Sequence, residues 1–208
     1  MTTHDVSHIE IYARDKIPVI RRLVSALGFT RVADSVEVDR SSVLLRRGDV
    51  RVVVTSGWAT CPWGSRPAER VAEIAVLCED VNATRDAALA AGATVTRSAQ
   101  GHPIVSGIAD VTCTLLPAGT RTGFPSDGRN WVPNSPQTTH RDAPGATHVA
   151  LRFDPTVPDQ QAAFYRDVLN VARPSSASLS PLAGADVLAP QSASGRVSVV
   201  LVAGDRTG

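Results

Sequence analysis

The residues of this chain that can carry chemistry are few and scattered. Five histidines and three cysteines stand among 208 residues. His8, Glu73 and His148 each fall in a short run of β-forming residues. Imidazole and carboxylate ligate first-row metals and carry protons. A lone histidine on a strand is more often a hydrogen-bonded structural residue, and His8 with Glu73 reads first as a polar pair at a sheet interface. His102 and His140 lie in loop stretches and read as solvated. Cys78 and Cys113 lie on strand candidates and read as small core residues. Cys61 sits between Trp58 and Trp63 in a loop that reads as a cap on a sheet edge, with a ligand-facing aromatic rim as the alternative. There is no Cys-x-x-Cys pair, no G-x-S-x-G, no phosphate-binding glycine loop and no basic patch interleaved with aromatics. Any site must therefore be assembled by the fold from distant strands.

Composition narrows the classes. The chain is 43% hydrophobic and 20% charged, which excludes a disordered tail and a coiled coil. A net charge of +1 provides no field to recruit nucleic acid or an anionic membrane. No apolar run approaches the roughly 18 residues of a membrane span. The opening Met1-Thr2-Thr3-His4-Asp5 has neither a basic region nor an apolar core, so no secretory signal is expected. Lys16 is the sole lysine among 21 basic residues, a bias in the manner of a GC-rich bacterial gene. Three widely spaced cysteines fit free thiols and a cytoplasmic protein.

The positioning elements repeat. Residues 6–13 alternate as a strand. Residues 16–27 follow at helical spacing, with Ile17, Ile20, Leu23, Val24 and Leu27 on one face and Gly28 as the stop. Strand candidates at 29–38, 42–46 and 50–55 complete a β-α-β-β-β unit. A second unit runs through a strand at 72–78, a helix at 83–91 closed by Gly92, and strands at 94–97, 104–106 and 110–116. A stretch rich in Pro, Gly, Ser, Thr and Asn then reads as a linker. A third unit begins with a strand at 147–153 and a helix at 159–169, continues through weak strands at 176–179 and 187–189, and ends in a strong one at 197–203. The expected fold class is α+β, built of βαβββ modules. Residues 1–117 form an N-terminal domain of two modules, 118–145 a linker, and 146–208 a third, unpaired module.

Four stretches carry a family resemblance: His8-Ile9-Glu10-Ile11-Tyr12; the hairpin Val43-Leu44-Leu45-Arg46-Arg47-Gly48 with Val52-Val53-Val54-Thr55-Ser56; Thr147-His148-Val149-Ala150 through Phe164-Tyr165-Arg166-Asp167-Val168-Leu169; and Gln191-Ser192-Ala193-Ser194-Gly195-Arg196-Val197. In this order they resemble the vicinal oxygen chelate superfamily, which includes glyoxalases, bleomycin-resistance proteins and extradiol dioxygenases. The closer match is to the 4-hydroxyphenylpyruvate dioxygenase/4-hydroxymandelate synthase family.

That resemblance implies Fe(II) held by two histidines and a carboxylate, with open positions for a 2-oxo acid and O₂. His148 matches the first histidine position. The second histidine and the glutamate belong to a fourth module that has no counterpart in these 208 residues. Val187 and Val200 match pocket-lining positions that are polar in the family, and Val200 also matches the carboxylate position. One imidazole cannot hold catalytic iron without a complete, oriented ligand set, so iron is expected to be weakly held or absent. By analogy with glyoxalase-type members, His8 and Glu73 form an alternative N-terminal site. Two function classes follow. One is a dioxygenase-lineage enzyme needing a partner to complete its iron site. The other is a metal-free module that sequesters or escorts an aromatic small molecule. The third module's concave face, with Val149, Leu151, Val199 and Leu201 pointing inward, predicts a homodimer or a partner chain bound through residues 146–208.

Overall fold

The computed structural model describes residues 4–58, 69–106, 111–121, 123–125 and 127–134, together with the backbone of strands at 147–153, 187–188 and 197–203. The first half of the chain runs β1 (His4–Ala13), α1 (Lys16–Leu27), β2 (Thr30–Val36), β3 (Arg40–Arg47) and β4 (Val50–Gly57). The order then recurs as β5 (Glu69–Cys78), α2 (Val81–Ala90), β6 (Val95–Arg97), β7 (Pro103–Ser106) and β8 (Thr112–Pro117). After these come β9 (Val132–Pro133), β10 (Thr147–Phe153), β11 (Val187–Leu188) and β12 (Val197–Ala203). The expected helix at 159–169 and the strand at 176–179 lie outside the described residues, as do Cys61, Trp63 and His140. No helix among the described residues is long and apolar enough to cross a membrane.

The helices start and stop for local reasons. Asp15 caps α1 by accepting from the Ile17 backbone N–H, and Asp80 caps α2 by accepting from Ala83 N–H at 2.9 Å. Gly28 ends α1 with φ +69°, in the left-handed region that a side chain disfavours.

Nine strands form one sheet in the order β6-β7-β8-β5-β1-β4-β3-β2-β9. Its two halves, β1-β4-β3-β2 and β5-β8-β7-β6, are mirrored about the antiparallel β1–β5 seam. Within each half the first strand pairs in parallel with the last: β1 with β4 and β5 with β8. The two halves thus join edge to edge into one continuous sheet.

Alternation along the strands sorts the core. Val43, Leu45, Val52 and Val54 pack with Val19 and Leu23 of α1, while their neighbours Leu44 and Val53 join Ala33 in a separate cluster. Ile74, Val76, Cys113 and Leu115 pack with Ala88 of α2. Cys78 and Cys113 are buried in that cluster outside any disulfide, small core residues as expected. The α1 face is a correction. Val19 and Leu23 are buried and Ile20 is half-buried, whereas Ile17, Val24 and Leu27 are 55%, 40% and 47% exposed. The contact stripe is turned by roughly 50° toward Val19, half of one residue step at 3.6 residues per turn.

The segment read as a linker is also partly docked. Following the 3-10 turn Ala118–Arg121, β9 adds to the sheet by pairing Pro133 with Ala33 and Val132 with Asp34. Trp131 packs on the Ala33–Leu44–Val53 cluster.

A separate three-stranded sheet has the order β10-β12-β11, with β10 parallel to β12 and β11 antiparallel to it.

Two glycine substitutions distinguish steric from conformational constraint. A Cβ on Gly57 would lie 2.6 Å from the Arg40 Cα and 3.0 Å from the Asp39 carbonyl carbon, both backbone atoms. Gly57→Ala is expected to destabilise by about 2 kcal/mol or more. Gly28→Ala meets nothing within 4 Å, so only its left-handed backbone opposes it, at about 1 kcal/mol. Urea midpoints of the two variants check the order.

Candidate functional site

On β1 the residues His8, Glu10 and Tyr12 share one face, and the intervening Ile9 is buried on the other. The polar face of β1 forms the floor of a cavity of about 210 Å³. Glu73 of β5, Thr114 and Leu116 of β8, and Ile104 of β7 line one side. Arg40 of β3 lines the other. In the sheet order β3 and β7 stand five positions apart, a distance of about 24 Å if the sheet were flat. Both reach one cavity because the sheet curls around it. Ser98, Gln100 and the half-buried His102 of the β6–β7 turn contribute to the rim. Asp127 and Arg129 complete the lining from the docked segment.

The register creates an electrostatic problem at the floor. Glu10 and Glu73 stand directly opposite one another across β1 and β5. Like charges facing each other in an antiparallel pair are destabilising. Arg129 resolves one side of it. Its side chain is 3% exposed, and its guanidinium donates to Glu10 Oε1 and to Asp127 Oδ2. Burial works against its charge, but Glu10 and Asp127 outweigh burial and raise its pKa. Asp127 Oδ1 also accepts from the Arg129 backbone N–H at 3.1 Å and from Trp131 Nε1 at 3.3 Å, which fixes the pair. Thr55 donates to Glu10 Oε1 at 2.6 Å. The Thr55 proton is thus committed, so Ser42 donates to Thr55 in their 2.8 Å contact.

The other groups are shifted by the same setting. Burial, and then Glu10, raise the pKa of Glu73. Burial followed by Glu10 and Glu73 pushes the Tyr12 hydroxyl up to about 12. Burial lowers His8 to about 4, with Arg129 and Arg51 acting in the same direction and Asp127 against it. His8 Nδ1 lies 3.3 Å from Ser7 Oγ, while its buried Nε2 has no hydrogen-bond partner.

Sequence-predicted His8 and Glu73 therefore share one site. The alternative metal site of the sequence reading needs a third donor beside them. Among the described residues no group of three or more His, Cys, Asp or Glu is placed to hold a metal. Glu10, which faces Glu73 across the two strands, is already bound by the buried Arg129 cation. For His148, Val187 and Val200 the structure describes the backbone alone. The register pairs His148 with Ser198, Ala150 with Val200, and Val187 with Val202. Strand parity puts positions 148, 187 and 200 on one face of the small sheet. The same parity puts positions 149, 151, 199 and 201 on the opposite face.

Sequence reasoning missed Arg129 and Asp127, which lie in a stretch of turn-forming residues with no periodicity to expose them. Glu10 and Tyr12 did leave a signal. Polar residues at His8, Glu10 and Tyr12 alternate with Ile9 and Ile11, the pattern of a strand with one face on a polar cavity.

No family model and no curated protein matches the sequence. Solved structures do. A triple mutant of 4-hydroxymandelate synthase from Streptomyces coelicolor superposes with a TM-score of 0.72 at 26% identity, over 98% of this chain and 63% of that one. A xylose isomerase-like TIM barrel/4-hydroxyphenylpyruvate dioxygenase fusion protein superposes with a TM-score of 0.62 at 18% identity, over 97% of this chain and 32% of that one. The chain thus spans just under two thirds of the length of the synthase it resembles. Its fold is α+β, of the vicinal oxygen chelate type seen in 4-hydroxyphenylpyruvate dioxygenase and 4-hydroxymandelate synthase.

Two measurements test the site's electrostatics. Arg129→Met leaves Glu10 buried without its cation and is expected to cost about 3 kcal/mol. Adding Glu10→Gln should recover most of that loss in a denaturant series. The unfolded chain protonates His8 near 6.5 and the folded chain only near 4. Above pH 6.5 neither state is protonated and His8 contributes nothing. Between about pH 6.5 and 4 only the unfolded state takes up the proton, so stability falls by up to about 3 kcal/mol. His8→Phe should lack this component of the acid slope.

Proposed function

We propose that this chain is a 4-hydroxyphenylpyruvate dioxygenase/4-hydroxymandelate synthase-like protein of the Fe(II) 2-oxo acid dioxygenase lineage. The likeness to 4-hydroxymandelate synthase over nearly the whole chain carries the reading. The shared sheet face of positions 148, 187 and 200 supports it, because the lineage builds its iron site and substrate pocket on such a face. In this reading His148 is an inherited ligand position, and iron would supply oxidative decarboxylation and hydroxylation once its ligand set is complete. A second copy docking on residues 146–208 would bring a second His148 but no carboxylate, because Val200 stands at that position, so a partner chain is the natural source of the missing ligands. Val187 and Val200 make the pocket drier than the family pattern and less able to orient an oxo acid. The chain alone is then not catalytic.

The unpartnered polar atoms in the N-terminal cavity favour a second reading, a metal-free module that binds a small molecule. An aromatic metabolite is the class that the lineage suggests.

Anaerobic Fe(II) titration by calorimetry separates the two. Wild type and His148→Ala are compared with and without 4-hydroxyphenylpyruvate. Tight Fe(II) binding that the substitution weakens by roughly tenfold or more supports the dioxygenase reading. Equal, weak binding in both removes His148 from any iron site and leaves the binding-module reading.

A further inference from the structure

The N-terminal cavity is built around an excess of negative charge. Glu10, Glu73 and Asp127 line it. Arg129 is shared between Glu10 and Asp127, and Arg40 is engaged by Glu37 at 2.5 Å. Two carboxylates share the one guanidinium, and Glu73 has no cation of its own among the described contacts. A buried negative charge is neutralised either by a proton or by a cation. Burial and the facing Glu10 raise the pKa of Glu73, so its charge is the one left to be met.

A second, independent feature points to a guest. His8 is 3% exposed, lines the cavity, and has no partner for Nε2. Buried polar groups normally find partners. In the tautomer that donates from Nδ1 to Ser7 Oγ, Nε2 presents a lone pair. Arg129 Nε is likewise unpartnered, a donor for a water or for a neutral oxygen on the guest. Ile104 and Leu116 add an apolar wall to the polar floor.

We infer that this cavity binds a small organic cation, a primary ammonium on a compact apolar body, with Glu73 and His8 Nε2 accepting its N–H groups. The inference rests on the binding-module reading and narrows it: the cavity excludes the 2-oxo acid anions of the lineage's own chemistry. Coulomb repulsion in a partly desolvated site is several times stronger than in water, so an oxo acid would bind here only after protonating the cavity.

The test is a charge series on one skeleton. Benzylamine, benzyl alcohol and benzoate are titrated into the full chain by calorimetry, with butylamine as a slimmer ammonium. 4-Hydroxyphenylpyruvate is titrated alongside. Benzylamine or butylamine is expected to bind at least about tenfold more tightly than the neutral and anionic compounds. Glu73→Gln, checked for folding by circular dichroism, is expected to remove that preference. If benzyl alcohol, benzoate or the oxo acid binds as tightly as the amines, the cavity is a small-molecule site and the charge assignment is wrong. If none of the five binds, both the assignment and the binding-module reading of this cavity fall. Amine binding that Glu73→Gln leaves untouched places the cation elsewhere and also overturns the inference. Should the variant fail to fold, the wild-type series alone still supports or overturns the charge assignment.

Discussion

One buried ion pair organises the N-terminal half of this protein. Arg129 meets Glu10 across 119 residues of chain, with both side chains 3% exposed. A guanidinium so placed is favourable only if its donors are used and its charge is matched. Glu10 and Asp127 do the matching, and Trp131 holds Asp127. The pair fastens the segment that follows β8 back onto β1. It also makes tolerable the opposition of Glu10 and Glu73 that the β1–β5 register imposes.

The rest of the architecture serves to bring that pair inside. Period-two alternation sends Val52, Val54, Leu45 and Val43 to the α1 side and leaves the other face for a mixed lining. Curling of the sheet then converts that face from a surface into a cavity. Placing β1 at the middle of nine strands gives its polar residues the most enclosed position available.

Much of this is legible in the sequence. The helix 16–27 and the strands 147–153 and 197–203 agree with the sequence pattern at both ends, because long alternating or amphipathic runs bounded by turns carry strong signals. His8 and Glu73 stand out by residue type and share a site. What escapes is set by tertiary contact. Arg129 sits in an aperiodic stretch, so its burial depends on a partner far away in sequence. The α1 stripe differs because five apolar residues mark a face, while packing chooses the flank carrying Val19. In the small sheet, the register puts position 148 on one face with 187 and 200, and positions 149, 151, 199 and 201 on the other. Neighbouring residues on a strand cannot share a face, and only the pairing register shows which positions of two strands do.

The parallel pairing of β1 with β4 and its antiparallel seam with β5 have a consequence for biosynthesis. β1 is the first of these strands to leave the ribosome, yet both of its edges are satisfied only by strands made later. Until β4 and β5 emerge, the segment bearing Ile9, Ile11 and the uncompensated Glu10 has no partner on either side. Its carboxylate then waits for Arg129, which is synthesised after the whole of that sheet half. Such an order gives a high contact order and slow, late closure. It leaves both edges of the nascent N-terminal strand open to wrong pairing until its neighbours emerge.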